Sequence, residues 1–366
     1  MSERTLRVQR WFGTRPAKVA LVVVGILVIA RLLLPHIVKT VVNDRLASMD
    51  GYRGHVQDID ISLMRGAYVI RDLRIVKVEG EVPVPFITAP VIDISLEWTA
   101  LLRGSVVAEL VFDDPEMNFV GGRVSQMGGG NDWRDVVDDL VPITINHLEI
   151  HRGRIHYRDF SASPDVDVLL SGLEVQGTGL STEHDEANPL PAHIGAHGTI
   201  QRSGDLEVAV RLDPWAERPT FDLDLGMESL NARELNRLLR AYAGVDAEAG
   251  RFYVYSEVRS RNGQFRGYVK PMTEGLSLFR FGEGGDAFDQ FGDLMLQLVV
   301  DLFENHGTDR FATRVHVAGS IEDVQTDGWE AILGVLANSF IEAIEHGVER
   351  PSASWRPDHS RSPVGR

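Results

Sequence analysis

From Val19 to Leu34 the chain is hydrocarbon with a single charged interruption, Arg31, and most of the three hundred or so residues that follow are patterned with a period of two. Together these features constrain the fold more than any other. A helix over Val19 to Val38 has about 20 residues at 1.5 Å rise, roughly 30 Å, which is the thickness of a bilayer's hydrocarbon layer. Val19, Leu21, Val22, Ile26, Leu27, Leu32, Leu33 and Leu34 are the side chains that would anchor it. Arg31 falls near the far end, where its aliphatic stem can carry the guanidinium to the interface. The leader over 1–18 carries Arg4, Arg7, Arg10, Arg15 and Lys18 against Glu3 alone. The positive-inside rule therefore predicts a cytoplasmic N-terminus, with the bulk of the chain beyond Pro35 on the far side. A cleaved signal peptide is the competing reading, but no small-x-small site follows Ala30, which runs on into Leu32, Leu33 and Leu34.

Charge narrows the partners. The whole chain carries a formal −16, and six of its 37 Lys+Arg but only one of its 53 Asp+Glu precede Lys39. The remainder has 31 bases against 52 acids, a net of −21. Such a surface disfavours nucleic acid and does not attract anionic headgroups, so lipid contact beyond the anchor must be apolar in origin. With no cysteine, disulfides, thiol catalysis and Cys-ligated metals are excluded.

The pattern divides the chain into a leader (1–18), a transmembrane anchor (19–38), a first β-rich block (39–120), a glycine-rich linker with a short helix (121–142), a second β-rich block (143–278), a C-terminal helical block with one strand (279–348) and a disordered tail (349–366). Ile37 to Met49 reads as an amphipathic linker into the first block. Ile59, Ile61 and Leu63 alternate with acids and serine, as do Ile92, Ile94, Leu96 and Trp98, so each strand buries one face. In the second block the series Leu206, Val208, Val210, Leu212, then Phe221, Leu223, Leu225, Met227, then Phe252, Val254 repeats that alternation. Turns at Arg202-Ser203-Gly204 and Arg261-Asn262-Gly263 close hairpins. One helix over 232–243 is predicted between strands. Asn231 caps it, Glu234 completes a capping box, Leu235, Leu238, Leu239 and Tyr242 line one face, and Gly244 ends it. Beyond it, Phe288 to Leu302 and Trp329 to Ile344 carry helical apolar stripes around a strand of Phe311, Thr313, Val315 and Val317.

No constellation names a reaction. The pairs Asp58/Asp60, Asp165/Asp167 and Asp222/Asp224 stand two apart in strand patterns, which places each pair on a solvated outer face that discourages edge aggregation. His193 and His197 flank Ile-Gly-Ala, which lacks the glutamate of a helical zinc motif. His147, His151 and His156 fall on an expected hairpin without a common face. No G-x-S-x-G elbow occurs, and Gly128-Gly129-Gly130 and Gly282-Glu283-Gly284-Gly285 lack the strand-to-helix setting of a phosphate loop. A membrane-tethered hydrolase would need His147, His151 or His193 to meet carboxylates in a polar cleft. The expectation is a protein that is not an enzyme and needs no cofactor or metal.

Four phrases carry a family likeness: WTALLRGSVVAELVFDDPEMNFV (98–120), ITINHLEIHRGRIHYRDF (143–160), SLNARELNRLLRAYAGVDAEAGRFYVYSEV (229–258) and GQFRGYVKPM (263–272). They resemble the AsmA-like envelope proteins, in the branch known only as a domain of unknown function, over most of Asp44 to Gly347. The resemblance implies an inner-membrane-anchored, periplasmic, β-rich protein of Gram-negative bacteria. Larger relatives look like bridge-like lipid-transfer proteins, whose sheet curls around acyl chains. It supplies no catalytic residues.

The expected fold is mainly β with some α: the transmembrane helix, then a long curved antiparallel sheet forming a groove or partial barrel, with a few amphipathic helices packed on or capping it. A long one-faced sheet needs a second layer, and few helices are on offer to supply it. Phospholipid or another acyl-chain lipid is the expected partner, with the inner membrane and other envelope proteins. The expected lining is Phe221, Leu223, Leu225, Phe252, Val254, Val315 and Val317, chosen for their clean alternation. The alternative is a structural scaffold in which these side chains meet in a closed core.

Overall fold

The computed structural model describes residues 15–49, 51–62, 66–78, 82–96, 107–121, 144–180, 187–216, 218–280, 310–312 and 314–320. Among the described residues the protein is mainly β, with few helices. It forms two compact units, residues 1–161 with 169–182, and 162–168 with 183–366. The stripes at 288–302 and 329–344, the helix predicted in 121–142 and the tail at 349–366 lie outside the described residues, as do Leu63 and Trp98.

The first unit begins with one helix, α1 (Arg15–Ala47), which contains the whole apolar run and passes straight through Pro35. The stretch after Pro35 that reads as a linker is thus the same helix almost to its end. A proline inside a helix removes one hydrogen bond and crowds the preceding turn. The helix persists because Val38, Val42 and Leu46 pack onto the sheet core, and tertiary packing outweighs local propensity. Among the described residues no helix is long and apolar enough to cross a membrane. Most side chains of 15–32, including Leu21, Ile26, Leu27 and Leu32, lie outside that description.

The sheet under this helix comprises β1 (Tyr52–His55), β2 (Asp58–Ser62), β3 (Ala67–Lys77), β4 (Ile87–Leu96), β5 (Val107–Asp113), β6 (Glu116–Val120), β7 (Thr144–Asp159) and most of β8 (Val166–Thr178). Its main order is β1-β3-β4-β5-β7-β8. Tyr52, Val56, Ile59, Ile75 and Phe86 are all but fully buried, and the Phe86 ring packs 5.3 Å from Tyr52 and 6.0 Å from Phe119. Asn43 fixes the helix to this core. Its Nδ2 donates to the Val56 carbonyl at 3.2 Å and its Oδ1 accepts the Val56 N–H at 2.8 Å. Val56 sits between β1 and β2, where no ladder partner serves it, so the asparagine satisfies a buried backbone from both sides. Gly54 allows the close approach, since a Cβ there would lie 3.0 Å from Leu46 Cβ.

Two expectations need correcting here. The strands are not all antiparallel: β7 pairs in parallel with β5 and with β6. A parallel pairing requires a crossover of a dozen or more residues, and positions 121–143 provide that length. Nor is 144–160 a hairpin. It is one 16-residue strand, in which Arg152 takes a φ of 54° and its N–H turns to the Glu174 carboxylate at 2.8 Å. Arg-Gly acts as a bulge in a continuous strand, because that carboxylate accepts the N–H the bulge frees.

The second unit is an antiparallel meander in the order β9 (Ala192–Ile200), β10 (Gly204–Leu212), β11 (Phe221–Asn231), β12 (Val245–Arg261) and β13 (Gln264–Arg280), with β14 (Arg310–Ala312) and β15 (Val315–Ser320) both on the far edge of β13. The single strand expected over Phe311 to Val317 is therefore two short ones. The β12–β13 turn is the predicted two-residue Asn262-Gly263 loop, with φ of 52° and 78°. The predicted helix forms as a 3₁₀ turn (Ala232–Leu235) followed by α2 (Asn236–Ala243), closed by Gly244 at φ 63°. Asn231 caps it, but the capping box does not close. The Asn231 N–H donates to Ser203 Oγ at 2.8 Å, and Glu234 instead accepts from Ser203 Oγ (3.1 Å) and the Arg202 N–H (2.9 Å). The β9–β10 turn thus competes for the glutamate and wins. Asn236 repeats the Asn43 device on β12, bonding both the N–H (2.8 Å) and the carbonyl (3.1 Å) of Ala247.

Asn43→Ala strips both partners from the buried Val56 backbone and is expected to lower stability by about 1–3 kcal/mol. Thr40→Ala, which removes only an exposed bond back to the His36 carbonyl, should change it by less than about 0.5 kcal/mol. Chemical denaturation of the two variants measures this, and equal effects would mean that the asparagine does not hold the helix.

Candidate functional site

Register fixes the apolar face of the second unit. Across β10 and β11 the opposed pairs are Leu206/Met227, Val208/Leu225, Val210/Leu223 and Leu212/Phe221. On β9, Ile194 faces Val210 and Ala196 faces Val208. On the other side Leu223 meets Val258 and Met227 meets Val254. A bulge with Ser229 at φ 60° shifts β11 by one residue, so Leu230 continues the same face opposite Phe252. Ser256 and Ser260 of β12 interrupt the face, and Val269 and Phe265 of β13 lie opposite them, so a largely apolar surface runs over five strands.

That surface is unevenly covered. The 3₁₀ turn and α2 pack on β12, and near them Leu230, Leu238, Leu239, Tyr242 and Val245 are buried. Val258, Phe265 and Val317 are buried as well. Over β10 and β11, however, Leu206, Val208, Val210, Leu212, Phe221, Leu223 and Leu225 are only half-buried, and so are Ile194, Phe252 and Val254. Of the predicted lining, Phe221, Leu223, Leu225, Phe252 and Val254 thus share this face half-covered. Val317 shares it but is buried, and the Val315 side chain lies outside the described residues. The β10 residues belong to the same surface. Their alternation is plain in the sequence, but the pairing that sets them beside β11 is a product of the fold.

The opposite face is charged. Asp222, expected on a solvated outer face, is buried instead, with 5% of its side chain exposed. Three guanidiniums close over it: Arg211 at 2.9 Å and Arg259 at 3.0 Å on Oδ2, and Arg261 at 2.7 Å on Oδ1. Arg211 and Arg259 flank it on the two adjacent strands, and their long stems bury the short carboxylate. Burial raises the Asp224 carboxyl above its ordinary value, opposed by Arg259. Asp58, Asp60 and Asp165 are exposed and Asp167 is half-buried. Asp222→Asn, which leaves three guanidiniums facing a neutral amide, is expected to destabilise the protein by about 1–3 kcal/mol. Its melting temperature compared with that of Asp58→Asn tests this, and equal values would show that the cluster contributes nothing.

The first unit holds a second polar chain. His147, Glu149 and His151 do share a face of β7, contrary to the hairpin expectation, because that segment is one continuous strand. His147 Nε2 lies 2.6 Å from Glu149, and His151 lies 3.1 Å from Glu149 and 2.9 Å from Glu174. Next to it Arg152 grips Asp114 with two nitrogens, at 3.1 and 2.9 Å, and also pairs with Asp113. His156 contacts Arg158 instead. His193 and His197 are exposed on β9, and His193 Nδ1 donates to the Pro191 carbonyl. Among the described residues no group of three or more His, Asp or Glu is placed to hold a metal.

The hydrogen bond to Glu174, with a second to Glu149, lifts His151 above its ordinary 6.5 despite desolvation. The hydrogen bond from His147, then the charge of both histidines, lowers Glu149 below its ordinary 4.5. A raised histidine stabilises fully below its unfolded value and loses that contribution as pH rises through its folded one. A lowered carboxylate stabilises above its unfolded value and loses that contribution as pH falls. Both terms therefore coexist between about pH 4.5 and 6.5. The melting difference between the native protein and His151→Ala is expected to be largest near about pH 5.5 and to shrink towards about pH 8.5. A pH-independent difference would contradict it.

No protein-family model matches this chain, and no curated protein matches it at a significant level.

Proposed function

We propose that this chain is a membrane-tethered, non-enzymatic protein that holds the acyl chains of a lipid against the apolar face of β9 to β13 and so helps to move or place phospholipid in the cell envelope. The observation that carries the reading is the contrast in cover. The central core side chains under α1 are sealed, with Ile61, Ile70 and Phe112 partly exposed at its margin, whereas in the in-register rows of β10 and β11 only Met227 and Leu230 are buried. A face of that kind gains free energy from any hydrocarbon that covers it. About ten methylenes buried there contribute roughly 8 kcal/mol before the costs of association, which fall between about 4 and 15 kcal/mol. A single short tail is therefore marginal, and a two-tailed lipid is the better fit. Five strands at about 4.8 Å spacing make a face about 20 Å wide. That suits a shuttle or a local holding site, with partner proteins or further copies for any longer path.

Three further points support the reading. Four phrases of the chain resemble AsmA-like envelope proteins, whose larger members look like lipid-transfer proteins. Val19, Val22 and Leu33 are exposed apolar side chains on α1, as an anchor lying in the inner membrane with its N-terminus in the cytoplasm requires. The net acidity of the remainder leaves apolar contact as the route to lipid. The scaffold reading has one observation of its own, the burial of Val258, Phe265 and Val317. Mass spectrometry of the detergent-extracted full chain separates the two. Phospholipid is expected to copurify, and Leu223→Glu or Val208→Glu to reduce it severalfold while the protein stays folded. Lipid no higher than on an unrelated anchored protein would leave the scaffold.

A further inference from the structure

On the charged face of the second unit, register puts two arginines directly opposite one another: Arg259 on β12 faces Arg266 on β13. Like charges in that position repel, and cross-strand pairing normally avoids them. Two acidic rows, Asp205 with Glu228 and Asp224 with Glu257, also oppose like charges, whereas Arg154 stands beside Glu116 and Arg211 beside Asp222. On its other side Arg266 faces only Ala318. Among the described residues Arg266 makes no ion pair or hydrogen bond, and it is exposed. The neighbouring row is Arg261 opposite Gln264. Glu257, Arg259 and Arg261 of β12 and Gln264, Arg266 and Tyr268 of β13 line an open recess of about 420 Å³.

The charge does not close within this cluster. Asp222 is shared by Arg211, Arg259 and Arg261, and Asp224 reaches Arg259 at 3.9 Å, so two carboxylates serve three guanidiniums and Arg266 is left over. Glu257, the carboxylate on the recess wall, accepts the Tyr268 hydroxyl at 2.8 Å. Asp222 meanwhile holds Arg259 and Arg261 in fixed positions, which removes part of the ordering cost of binding. Planar guanidiniums on a rigid strand, an amide donor beside them and an unanswered positive charge are the donor set that a tetrahedral oxyanion accepts.

We infer that this recess binds a phosphoryl-type oxyanion, bridged by Arg259 and Arg266 with Arg261 and Gln264 alongside, and that the anion relieves the repulsion between the two opposed arginines. The site lies on the sheet face opposite the apolar one, so it is a second site and does not depend on the acyl-chain reading. The ligand is a free phosphate or phosphate ester, or a phospholipid headgroup presented at this face.

The test is thermal unfolding of the detergent-solubilised full chain and of Arg266→Gln and Arg266→Lys, with ionic strength held constant by chloride. Two probes are used: inorganic phosphate, and a short-chain phosphatidylglycerol kept below its micelle concentration. In anion-free buffer Arg266→Gln is expected to melt no lower than the native chain, since it removes a repulsion from an exposed position. The native chain is expected to gain stability with one or both probes, Arg266→Lys to retain part of the gain, and Arg266→Gln to bind at least tenfold more weakly. A gain with phosphate identifies a soluble anion as sufficient, and a gain with the lipid alone identifies a headgroup; either supports the site. A gain that chloride reproduces, that Arg266→Gln keeps in full, or that neither probe produces overturns it. Leu223→Glu should leave the phosphate response unchanged, which separates failure here from failure of the acyl-chain proposal.

Discussion

A sheet with one hydrocarbon face must have that face covered, and the two units meet this requirement differently. In the first, α1 supplies the second layer: Val38, Val42 and Leu46 lie on the sheet, and Tyr52, Ile75 and Phe86 beneath are closed to solvent. In the second, the described helix has only eight residues and attends to β12. The rows of β10 and β11 are left half-covered. Everything proposed about function begins from this difference.

The attachment of helix to sheet uses one device twice. Asn43 and Asn236 each bond both the N–H and the carbonyl of a buried residue, Val56 between β1 and β2 and Ala247 in β12. An asparagine amide presents one donor and one acceptor at the spacing of a peptide group, so it substitutes for a missing ladder partner. In α1 this makes the apolar run and the first sheet parts of one continuous element, despite Pro35.

The charged face is organised by the same registers that organise the greasy one. Strand pairing that sets Val210 beside Leu223 on one side sets Arg211 beside Asp222 on the other. A one-residue slip would exchange the two faces, so the buried carboxylate and the apolar rows select the same alignment. Like charges still meet in this lattice, Asp205 against Glu228, Asp224 against Glu257 and Arg259 against Arg266, and the arginine pair is the one that lines a recess.

Local pattern made much of this legible. Alternation located β10, β11 and part of β12, Asn262-Gly263 marked a hairpin, and Asn231 with Gly244 bracketed the helical segment, because each of these depends on neighbours in sequence. Other features rest on distant partners. Glu174 turns Arg152-Gly153 into a bulge, Ser203 takes the cap that Glu234 was expected to fill, β5 and β6 recruit β7 in parallel, and three arginines from β10 and β12 bury Asp222. By itself the sequence determined that the chain is β-rich with two-faced strands, that it carries one long apolar helical run, and that its greater part is acidic. Only the tertiary structure decided which strands adjoin, and hence which apolar rows are sealed and which carboxylate is shared, because burial is set by whatever lies across the sheet and not by what lies next in the chain.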